Sequence, residues 1–279
     1  MTRIGVIGSG TMGQGIAQIF AMSGYEVLIM DINAEITCKG ISRIGERLQR
    51  EVEKGKMSAE AREKTMSQIK AAHKYEDLSG SELIIEAVYE NCEAKKDVLS
   101  KVSGINKESV IATNTSSISV TALSASVTEP ERFLGMHFFN PVPAMKLVEL
   151  IAGEFTSEEI LSRVKSITEH VGKTPVMVRD SPGFIVNRIL IPEINEACFL
   201  LLEGVATKED IDKAMKLGAN HPMGPLELGD LIGLDVCLNI MNMLYSETGD
   251  PKYRPCPLLK RMVSAGKLGR KSGRGFYEY

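Results

Sequence analysis

The apolar residues of this chain follow two different patterns, which meet near residue 182. Before that point, short apolar runs are nearly unbroken and are separated by longer amphipathic stretches. The runs lie at 4–7, 27–30, 83–88 and 110–112. Unbroken runs of this length are typical of parallel strands covered on both faces, because neither face then needs polar side chains. The stretches with helical spacing lie near 11–23, 34–54 and 93–103.

This alternation predicts a doubly wound, mainly parallel α/β sheet of the Rossmann type. Further strands are predicted at 132–139, 146–151 and 174–178, with a helix near 157–171. After the Asp-Ser-Pro-Gly of residues 180–183 the strand pattern stops, and Ser-Pro-Gly is typical of a helix start or a hinge. We therefore predict a Rossmann domain over residues 1–182 and a second, all-helical domain over 183–279.

The second part has apolar residues at alternating spacings of three and four, as one face of a helix requires. The stripe consists of Phe184, Asn187, Ile191, Ile194, Cys198 and Leu201. Pro192 lies inside it and is expected to bend the helix, because proline lacks an N–H and its ring clashes with the preceding turn. The stretch 226–244 is apolar on nearly every face, which predicts burial between helices or in a subunit interface.

Composition narrows the class of protein without identifying it. The 279 residues allow two domains, and apolar (43%) and charged (25%) fractions are those of an ordinary soluble globular protein. A net charge of −3 gives no electrostatic reason to expect nucleic acid or an anionic membrane as a partner. No apolar run approaches the roughly 18 residues of a membrane span, and the N-terminus enters a strand without a signal peptide. The five cysteines are scattered without metal-binding spacing, so we expect reduced thiols, no metal and a cytoplasmic location.

A glycine-rich turn connects the first predicted strand to the first predicted helix. It reads Gly8-Ser9-Gly10-Thr11-Met12-Gly13. A lone G-x-G-x-x-G is a weak signal, but here a strand precedes it, a helix follows, and an acidic residue ends the next strand, which makes it a dinucleotide fingerprint. The glycines permit the tight turn, the approach of the pyrophosphate and the packing of helix on strand. The N-terminus of the helix supplies N–H groups for the phosphates.

Asp31 is that acidic residue, and it bears on the choice of cofactor. Its carboxylate can accept hydrogen bonds from the adenosine ribose and would repel a 2′-phosphate. Ile32 and Asn33 follow it, so no arginine is at hand to bind that phosphate. The sequence therefore predicts NAD as the cofactor in preference to NADP.

A histidine and a carboxylate stand twelve positions apart within GMHFFNPVPAMKLVEL, residues 135–150. His137 and Glu149 belong to two apolar runs separated by the proline loop 141–143. Two adjacent strands joined by such a loop can bring both side chains to one end of a sheet. A carboxylate that holds a ring N–H fixes the histidine tautomer and makes the other nitrogen a usable proton acceptor. On these residues alone, a structural core histidine beside an unrelated surface glutamate is an equally good interpretation.

With this pair inside a dinucleotide-binding domain, the chain closely resembles the L-3-hydroxyacyl-CoA dehydrogenase family. The matching motifs are VIGSGTMGQGIA at 6–17, EAVYENCEAK at 86–95, NTSS at 114–117, GMHFFNPVPAMKLVEL at 135–150, SPGFIVNR at 181–188, AMKLGANHPMGPLELGD at 214–230 and LGRKSGRGFYEY at 268–279. HFFNPVP and PGFIVNR are far more specific than the glycine fingerprint. The likeness covers essentially the whole chain and is greatest to the stand-alone bacterial members.

The resemblance implies reversible hydride transfer between (S)-3-hydroxybutyryl-CoA and acetoacetyl-CoA, with NAD as cofactor. It implies that His137 is the general acid and base, that Glu149 orients it, and that Ser116 and Asn187 contact the substrate. The residues that it implies at the cofactor, besides the glycine turn and Asp31, are Glu90, Lys95, Asn114, Ser116 and Asn140.

Other interpretations of these residues stay open at this point. Ser117 suits the N-cap of a helix that begins at Ile118. Asn187, in an apolar stripe, needs a hydrogen-bond partner, and that partner can be structural instead of the substrate. Glu90 and Lys95 flank a predicted helix start and can be a solvated charge pair.

Coenzyme A carries phosphate charges that a cation should meet. Arg50 and Lys54 on the second predicted helix are the substrate-binding candidates, with Lys56 beside them, although charged helix faces are usually only solvated. The basic, glycine-rich tail 268–279 is better interpreted as a packed terminal strand or loop than as an anion site. The remaining histidines are interpreted as structural or solvated: His73, His170 and His221.

Two alternative functions remain: a two-domain dehydrogenase of a free hydroxy acid or sugar derivative, and a non-catalytic NAD-binding protein. The second is disfavoured because binding alone does not require the set Ser116, His137, Glu149 and Asn187. We expect a homodimer formed through the helical domain, and closure of the two domains about residues 180–183.

Overall fold

The computed structural model of the protein describes residues 2–279 and divides into two compact units. The first unit ends at Asp180, and the second spans Ser181–Tyr279. The boundary expected from the sequence, after residue 182, lies two residues further along the chain.

The first unit is built on one sheet of eight strands in the order β3-β2-β1-β4-β5-β6-β7-β8. The strands are β1 (Arg3–Ile7), β2 (Glu26–Met30), β3 (Ile69–Ala71), β4 (Leu83–Glu86), β5 (Val110–Thr113), β6 (Phe133–Phe138), β7 (Leu147–Ala152) and β8 (Thr174–Arg179). Neighbouring strands are parallel except β6 and β7, which are antiparallel. The first six strands have the order of the dinucleotide-binding fold, so the predicted Rossmann class is confirmed.

Six α-helices connect these strands: α1 (Thr11–Met22), α2 (Ala34–Glu53), α3 (Ala59–Ser67), α4 (Cys92–Ile105), α5 (Val120–Ser124) and α6 (Glu158–His170). Most begin at a short polar side chain that accepts a backbone N–H of the first turn, such as Asn33 for α2, Asn91 for α4 and Ser157 for α6. Such caps satisfy N–H groups that have no partner inside the helix.

Burial explains the unbroken apolar runs of the sequence. β1, β4 and β5 lie inside the sheet, and residues of both faces are buried, as at Ile4, Ile84, Ile85 and Val110. The short edge strand β3 was not predicted, because only Ile69 of its three residues is buried. Helix α3 was not predicted either, since it carries little apolar periodicity.

Two boundaries that the sequence suggested are wrong: the end of the strand that begins at Leu83, and Ser117 as the N-cap of the next helix. The run 83–88 forms a strand only as far as Glu86, because the Glu86 carboxylate accepts the Val88 N–H at 2.7 Å and turns the chain. Ser117 does not cap a helix from Ile118. Helix α5 starts two residues later, and the Ser119 hydroxyl accepts the Ala122 N–H at 3.1 Å.

The second unit is helical, as predicted: α7 (Val186–Leu202), α8 (Lys208–Gly218), α9 (Pro225–Ile232), α10 (Leu234–Thr248) and α11 (Pro257–Ser264). The stripe Ile191, Ile194 and Cys198 is buried on α7, and Pro192 lies inside that helix. Phe184 is buried but does not belong to the helix, which corrects the predicted stripe. Its φ of 52° is in the left-handed region, so the chain turns there before α7 begins.

The apolar stretch 226–244 consists of two helices that break at Gly233. Gly233 has a φ of 106°, which glycine adopts readily and other residues rarely do. Within the described part of the chain no single helix is long and apolar enough to cross a membrane, and the one pair that passes such a test by length and composition is α9 with α10, bent by 97°. Leu226, Leu234 and Met241 are buried, whereas Leu231 and Val236 are 49% and 38% exposed.

The C-terminal tail packs against two buried aspartates, which confirms its interpretation as a packed loop. Asp230 on α9 accepts the N–H groups of Phe276 and Tyr277, each at 2.9 Å. Asp212 on α8 accepts the Tyr277 hydroxyl at 2.8 Å and the Leu226 N–H at 2.8 Å. The Asp212 carboxylate therefore caps the start of α9, and both carboxylates hold the tail in place.

Candidate active site

The β6–β7 hairpin brings His137 and Glu149 together. The antiparallel register places the two residues directly opposite each other, and His137 Nδ1 lies 2.7 Å from Glu149 Oε2. Both residues are buried, at 6% and 0% exposure. Because an ionised carboxylate can only accept a hydrogen bond, this contact favours the tautomer with the proton on Nδ1, which makes Nε2 the acceptor of the ring. The interpretation of Glu149 as an unrelated surface residue is wrong.

The loop between these two strands is held by a lysine that the sequence did not single out. Lys173, just before β8, donates to the carbonyls of Val142 (2.6 Å) and Met145 (2.7 Å). Burial lowers the pKa of its ammonium group. Val142 also packs on α1, where a Cβ added at Gly15 would lie 2.7 Å from it. The His137–Glu149 hairpin is therefore fixed against the fingerprint helix.

The three fingerprint glycines are required for different reasons. Gly8 has a φ of 104°, and a Cβ there would lie 2.5 Å from the carbonyl oxygen of Ala87. A Cβ at Gly13 would lie 1.8 Å from the carbonyl oxygen of Gly8, so the helix packs directly on the turn. At Gly10 an added Cβ would meet no protein atom within 4 Å, so packing inside the protein does not require a glycine there. The fold therefore demands Gly8 and Gly13, and a ligand is the remaining reason for Gly10.

Helix α1 presents its N-terminus at this position without a side-chain cap and with no acidic residue in its first turn. Its first backbone N–H groups lie at the positive end of the helix dipole and can therefore bind an anion. Gly10 and Thr11 are exposed there, whereas Met12 is partly buried and packs against the core. These features fit the pyrophosphate of a dinucleotide.

Asp31 follows β2 and is tied to the same turn. Its Oδ2 accepts the Ser9 N–H (2.6 Å) and the Ser9 hydroxyl (2.8 Å), and its Oδ1 accepts the Ile32 N–H (2.8 Å). Ser9 is 4% exposed, so its side chain serves mainly to hold Asp31. A carboxylate has about four acceptor positions. Three are used, and the fourth is available to a ribose hydroxyl.

Glu90 organises the loop after β5. Its Oε1 accepts the Thr115 hydroxyl (2.6 Å), the Ser116 N–H (2.8 Å) and both the N–H (3.0 Å) and hydroxyl (2.9 Å) of Ser117. Burial raises the pKa of Glu90, but the Lys95 charge and these hydrogen bonds outweigh it and hold that pKa below its ordinary value. The Glu90 side chain is 35% exposed and stays ionised.

Glu90 and Lys95 are not a solvated charge pair, because Lys95 is only 1% exposed. Its ammonium lies 3.3 Å from Glu90 Oε2 and 2.8 Å from Glu86 Oε1. Glu86 is fully buried and was not singled out in the sequence, since it lies within the otherwise apolar run 83–88. An acidic residue inside such a run is the signal that could have found it.

The two predicted asparagines of the first unit have different surroundings. Asn114 is nearly buried, and its Oδ1 accepts the Phe138 N–H at 3.0 Å, which ties the end of β5 to the end of β6. Asn140 is exposed and precedes a cis peptide bond to Pro141.

The predicted coenzyme A contacts are less defined. Arg50 is exposed, and Lys54 is 61% exposed with Glu51 at 3.8 Å. A cavity of about 680 Å3 beside them is lined by Arg47, Lys56 and the proline loop, among others. Burial, with a smaller contribution from Arg50, lowers the pKa of Arg47. Sequence reasoning missed Arg47.

The remaining predicted residues are Asn187 and three histidines. Asn187 is the second residue of α7, in the second unit, and is partly buried. His73 is exposed, His170 ends α6 with its ring against Tyr25, and His221 lies 3.2 Å from Glu193. Within residues 2–279 no group of three or more His, Cys, Asp and Glu side chains is placed to hold a metal ion.

A Rossmann sheet with a dinucleotide fingerprint, an acidic residue after β2 and a histidine braced by a carboxylate defines the class of protein as an NAD-binding dehydrogenase. Comparison with known proteins agrees. The sequence model described as "3-hydroxyacyl-CoA dehydrogenase, NAD binding domain" matches residues 3–181, and that of "3-hydroxyacyl-CoA dehydrogenase, C-terminal domain" matches residues 183–279. The chain belongs to the 3-hydroxyacyl-CoA dehydrogenase family, which confirms the resemblance and NAD as the cofactor.

Individual relatives match the chain over nearly its whole length. A 3-hydroxybutyryl-CoA dehydrogenase of Clostridioides difficile is 50% identical over 278 residues, covering 99% of both chains. A probable 3-hydroxybutyryl-CoA dehydrogenase of Bacillus subtilis is 48% identical, covering 99% of this chain and 97% of the relative. The crystal structure of (S)-3-hydroxybutyryl-CoA dehydrogenase from Ralstonia eutropha has a TM-score of 0.97 at 48% identity, covering 100% and 99% of the two chains.

Proposed function

We propose that this protein catalyses the reversible, NAD-dependent interconversion of (S)-3-hydroxybutyryl-CoA and acetoacetyl-CoA. The observation that carries the proposal is the buried hydrogen bond of 2.7 Å between His137 and Glu149 in a member of this family. The names of the similar proteins, at 48–50% identity over whole chains, support the four-carbon substrate.

In this proposal the cofactor, when bound, supplies the hydride chemistry at C3, and His137 handles the proton. In the oxidative direction Nε2 takes the proton of the 3-hydroxyl as hydride leaves C3. In the reductive direction the imidazolium returns that proton to the forming alkoxide. Glu149 stabilises the imidazolium and keeps the ring in the correct tautomer. General acid–base catalysis of this kind contributes about 10² to 10⁴ in rate, or roughly 3–5 kcal/mol of barrier.

We infer that the other predicted residues bind the reactants. Ser116 and Asn187 would hold the oxygen on C3. The dinucleotide would be held by the turn from Gly8 to Gly13, by Asp31, and by a group of polar residues around the nicotinamide half. That group consists of Glu90, Lys95, Asn114, Ser116 and Asn140.

The phosphates of coenzyme A would meet the cations on and beside α2. Lys54 and Arg50 are the predicted contacts. Arg47 supports them: burial and the Arg50 charge lower its pKa, so a bound anion would stabilise its charged form. The proposed organisation assigns residues 1–182 to NAD binding and 183–279 to substrate binding and dimerisation, in a cytoplasmic homodimer. Sedimentation as a strict monomer at micromolar concentration would contradict the dimer.

One assay separates this function from its alternatives. NADH oxidation is followed with acetoacetyl-CoA and, in parallel, with acetoacetate that lacks coenzyme A. We expect rapid turnover only with the thioester. Equal or faster turnover of the free acid would identify a hydroxy-acid dehydrogenase instead, and NADH binding without turnover of either compound would identify a non-catalytic protein.

The cofactor preference has its own test. Because the Asp31 carboxylate would repel a 2′-phosphate, kcat/KM with NADH should exceed that with NADPH. Equal values, or a higher value with NADPH, would refute the role given to Asp31.

A further inference from the structure

A buried carboxylate that the proposed reaction does not use lies at the end of β4. Glu86 has 0% exposure, and both of its oxygens have partners. Oε1 accepts from the Lys95 ammonium at 2.8 Å and from the Val88 N–H at 2.7 Å, and Oε2 accepts the Thr113 hydroxyl at 2.6 Å. Burying a charge is costly unless it is paired and hydrogen-bonded, and here every requirement is met.

Lys95 extends this arrangement in two directions. Besides Glu86 it lies 3.3 Å from the carbonyl oxygen of Val88 and 3.3 Å from Glu90 Oε2. The buried ion pair therefore holds Val88 by both its N–H and its carbonyl, and also contacts the carboxylate of Glu90.

Val88 forms part of the surface on which the fingerprint turn rests. A Cβ at Gly8 would lie 2.5 Å from the carbonyl oxygen of Ala87 and 2.9 Å from the nitrogen of Val88. Contact this close means that a shift of the Ala87–Val88 backbone would displace the Gly8 turn. Glu86 and Lys95 thus fix the position of the turn from the side of β4.

Glu90 forms the other wall. One of its oxygens accepts four hydrogen bonds of 3.0 Å or less from Thr115, Ser116 and Ser117. The other lies 3.3 Å from Lys95. The loop of Ser116 is therefore connected, through Glu90, to the same buried ion pair as the fingerprint turn.

We propose that Glu86 is a positioning residue, which sets the shape of the dinucleotide site: through its ion pair with Lys95 and its hydrogen bond to Val88 it fixes the fingerprint turn and the Ser116 loop. This inference rests on the proposed function for the identity of the ligand. Without the Glu86 charge, Glu90 is the carboxylate left beside Lys95 among residues 2–279. Lys95 would then draw Glu90 away from the serines and release the Val88 backbone.

The test compares Glu86→Gln with Glu93→Gln, a matched control on the exposed face of α4 whose carboxylate is 82% exposed. NADH affinity is measured by the fluorescence of NADH, with no interference from tryptophan because the chain has none. Amide hydrogen exchange at Ser116 and Ser117 is measured without cofactor. We expect Glu86→Gln to weaken NADH binding about tenfold or more, the effect of one lost hydrogen bond to a charged group, and to speed exchange at both serines. The control should change neither.

A double variant, Glu86→Gln with Lys95→Met, distinguishes the proposed positioning role from that of an ion pair that only stabilises the fold. Removing both charges leaves no unpaired ammonium, so the melting temperature should recover relative to Glu86→Gln while amide exchange at Ser116 and Ser117 stays fast. Because Lys95 is itself a proposed cofactor contact, exchange and not NADH affinity is the measurement for this variant. If Glu86→Gln does not fold, the double variant decides: fast exchange at both serines supports the proposal, and wild-type exchange overturns it. A folded Glu86→Gln with NADH affinity within twofold of wild type and unchanged serine exchange also overturns it.

Failure of the proposed function would look different. Wild-type protein that does not turn over acetoacetyl-CoA would refute the substrate. The comparison of NADH affinity and serine exchange between variants would remain interpretable.

Discussion

Substitutions at two of the fingerprint glycines separate the effect of an added methyl group on folding from its effect on cofactor binding. Gly10→Ala adds a methyl group that meets no protein atom within 4 Å, at a backbone with φ −70° and ψ −172° that alanine adopts without strain. As an N-cap, alanine makes the folded protein less stable than glycine does by some tenths of a kcal/mol. Alanine also restricts the unfolded chain, which stabilises the folded protein by about 0.4–1 kcal/mol. The two effects nearly cancel, so Tm should stay within about 4 °C of wild type.

Gly13→Ala is the matched variant with the opposite outcome. Its Cβ would lie 1.8 Å from the backbone carbonyl oxygen of Gly8, which cannot rotate away, so α1 has to move. Overpacking of this kind costs about 1–3 kcal/mol, and the backbone position places it at the upper end or beyond. We expect a Tm at least several degrees lower than wild type, or insoluble protein.

Thermal denaturation and NADH fluorescence titration together test this reasoning. Gly10→Ala should fold normally and bind NADH at least about tenfold more weakly, because the methyl group occupies the approach of the pyrophosphate to the backbone. A Gly10→Ala protein with wild-type NADH affinity would refute the assignment of this turn. A Gly13→Ala protein with wild-type Tm would refute the packing argument.

Three further predictions concern other parts of the site. The pKa of Glu90 is lowered in the folded protein, so its stabilising contribution is present above about pH 4.5 and is lost as the pH falls through the folded-state pKa. The Tm difference between wild type and Glu90→Gln should therefore shrink from pH 7 toward pH 3, and a constant difference would contradict this. Lys173→Met removes two charge-assisted hydrogen bonds to the proline loop and should cost about 1.5–3 kcal/mol in denaturant unfolding, whereas the exposed Lys165→Met should be neutral. Asn187→Ala should lower kcat/KM strongly and Tm only slightly. A large fall in Tm with kcat/KM nearly unchanged would assign Asn187 a structural role.

The unbroken apolar runs predicted the sheet well, because strands buried on both faces need apolar residues at every position. The glycine turn and Asp31 were readable for a similar reason, since each has a steric or electrostatic role that few other residues can fill. Strand β3 and helix α3 were missed because they bury too little apolar surface to produce a pattern. Phe184 was placed inside a helix because its spacing fits the stripe, and spacing carries no information on φ.

The candidate site was only partly predictable. Spacing suggested a hairpin at His137 and Glu149, but a shift of the register by one residue would place the two side chains on opposite faces of the sheet. The structure settles the register. Lys173 was missed because its partners are backbone carbonyls of the proline loop, which no local pattern reveals. Glu86 does leave a local signal, an acidic residue inside an apolar run, but its partners Lys95 and Thr113 do not follow from that signal.

The central claim is that His137, braced by Glu149, transfers the proton in the reaction. It is tested by kcat for NADH oxidation with acetoacetyl-CoA in His137→Gln, Glu149→Gln and the double variant, with NADH affinity as the control for folding. Loss of the general acid should lower kcat about 10² to 10⁴-fold, and loss of a charge-assisted hydrogen bond of about 1.5–3 kcal/mol should lower it about tenfold to a hundredfold. Since the two residues act as one unit, the double variant should be no slower than His137→Gln. A His137→Gln protein that binds NADH and keeps most of the wild-type kcat would contradict the account.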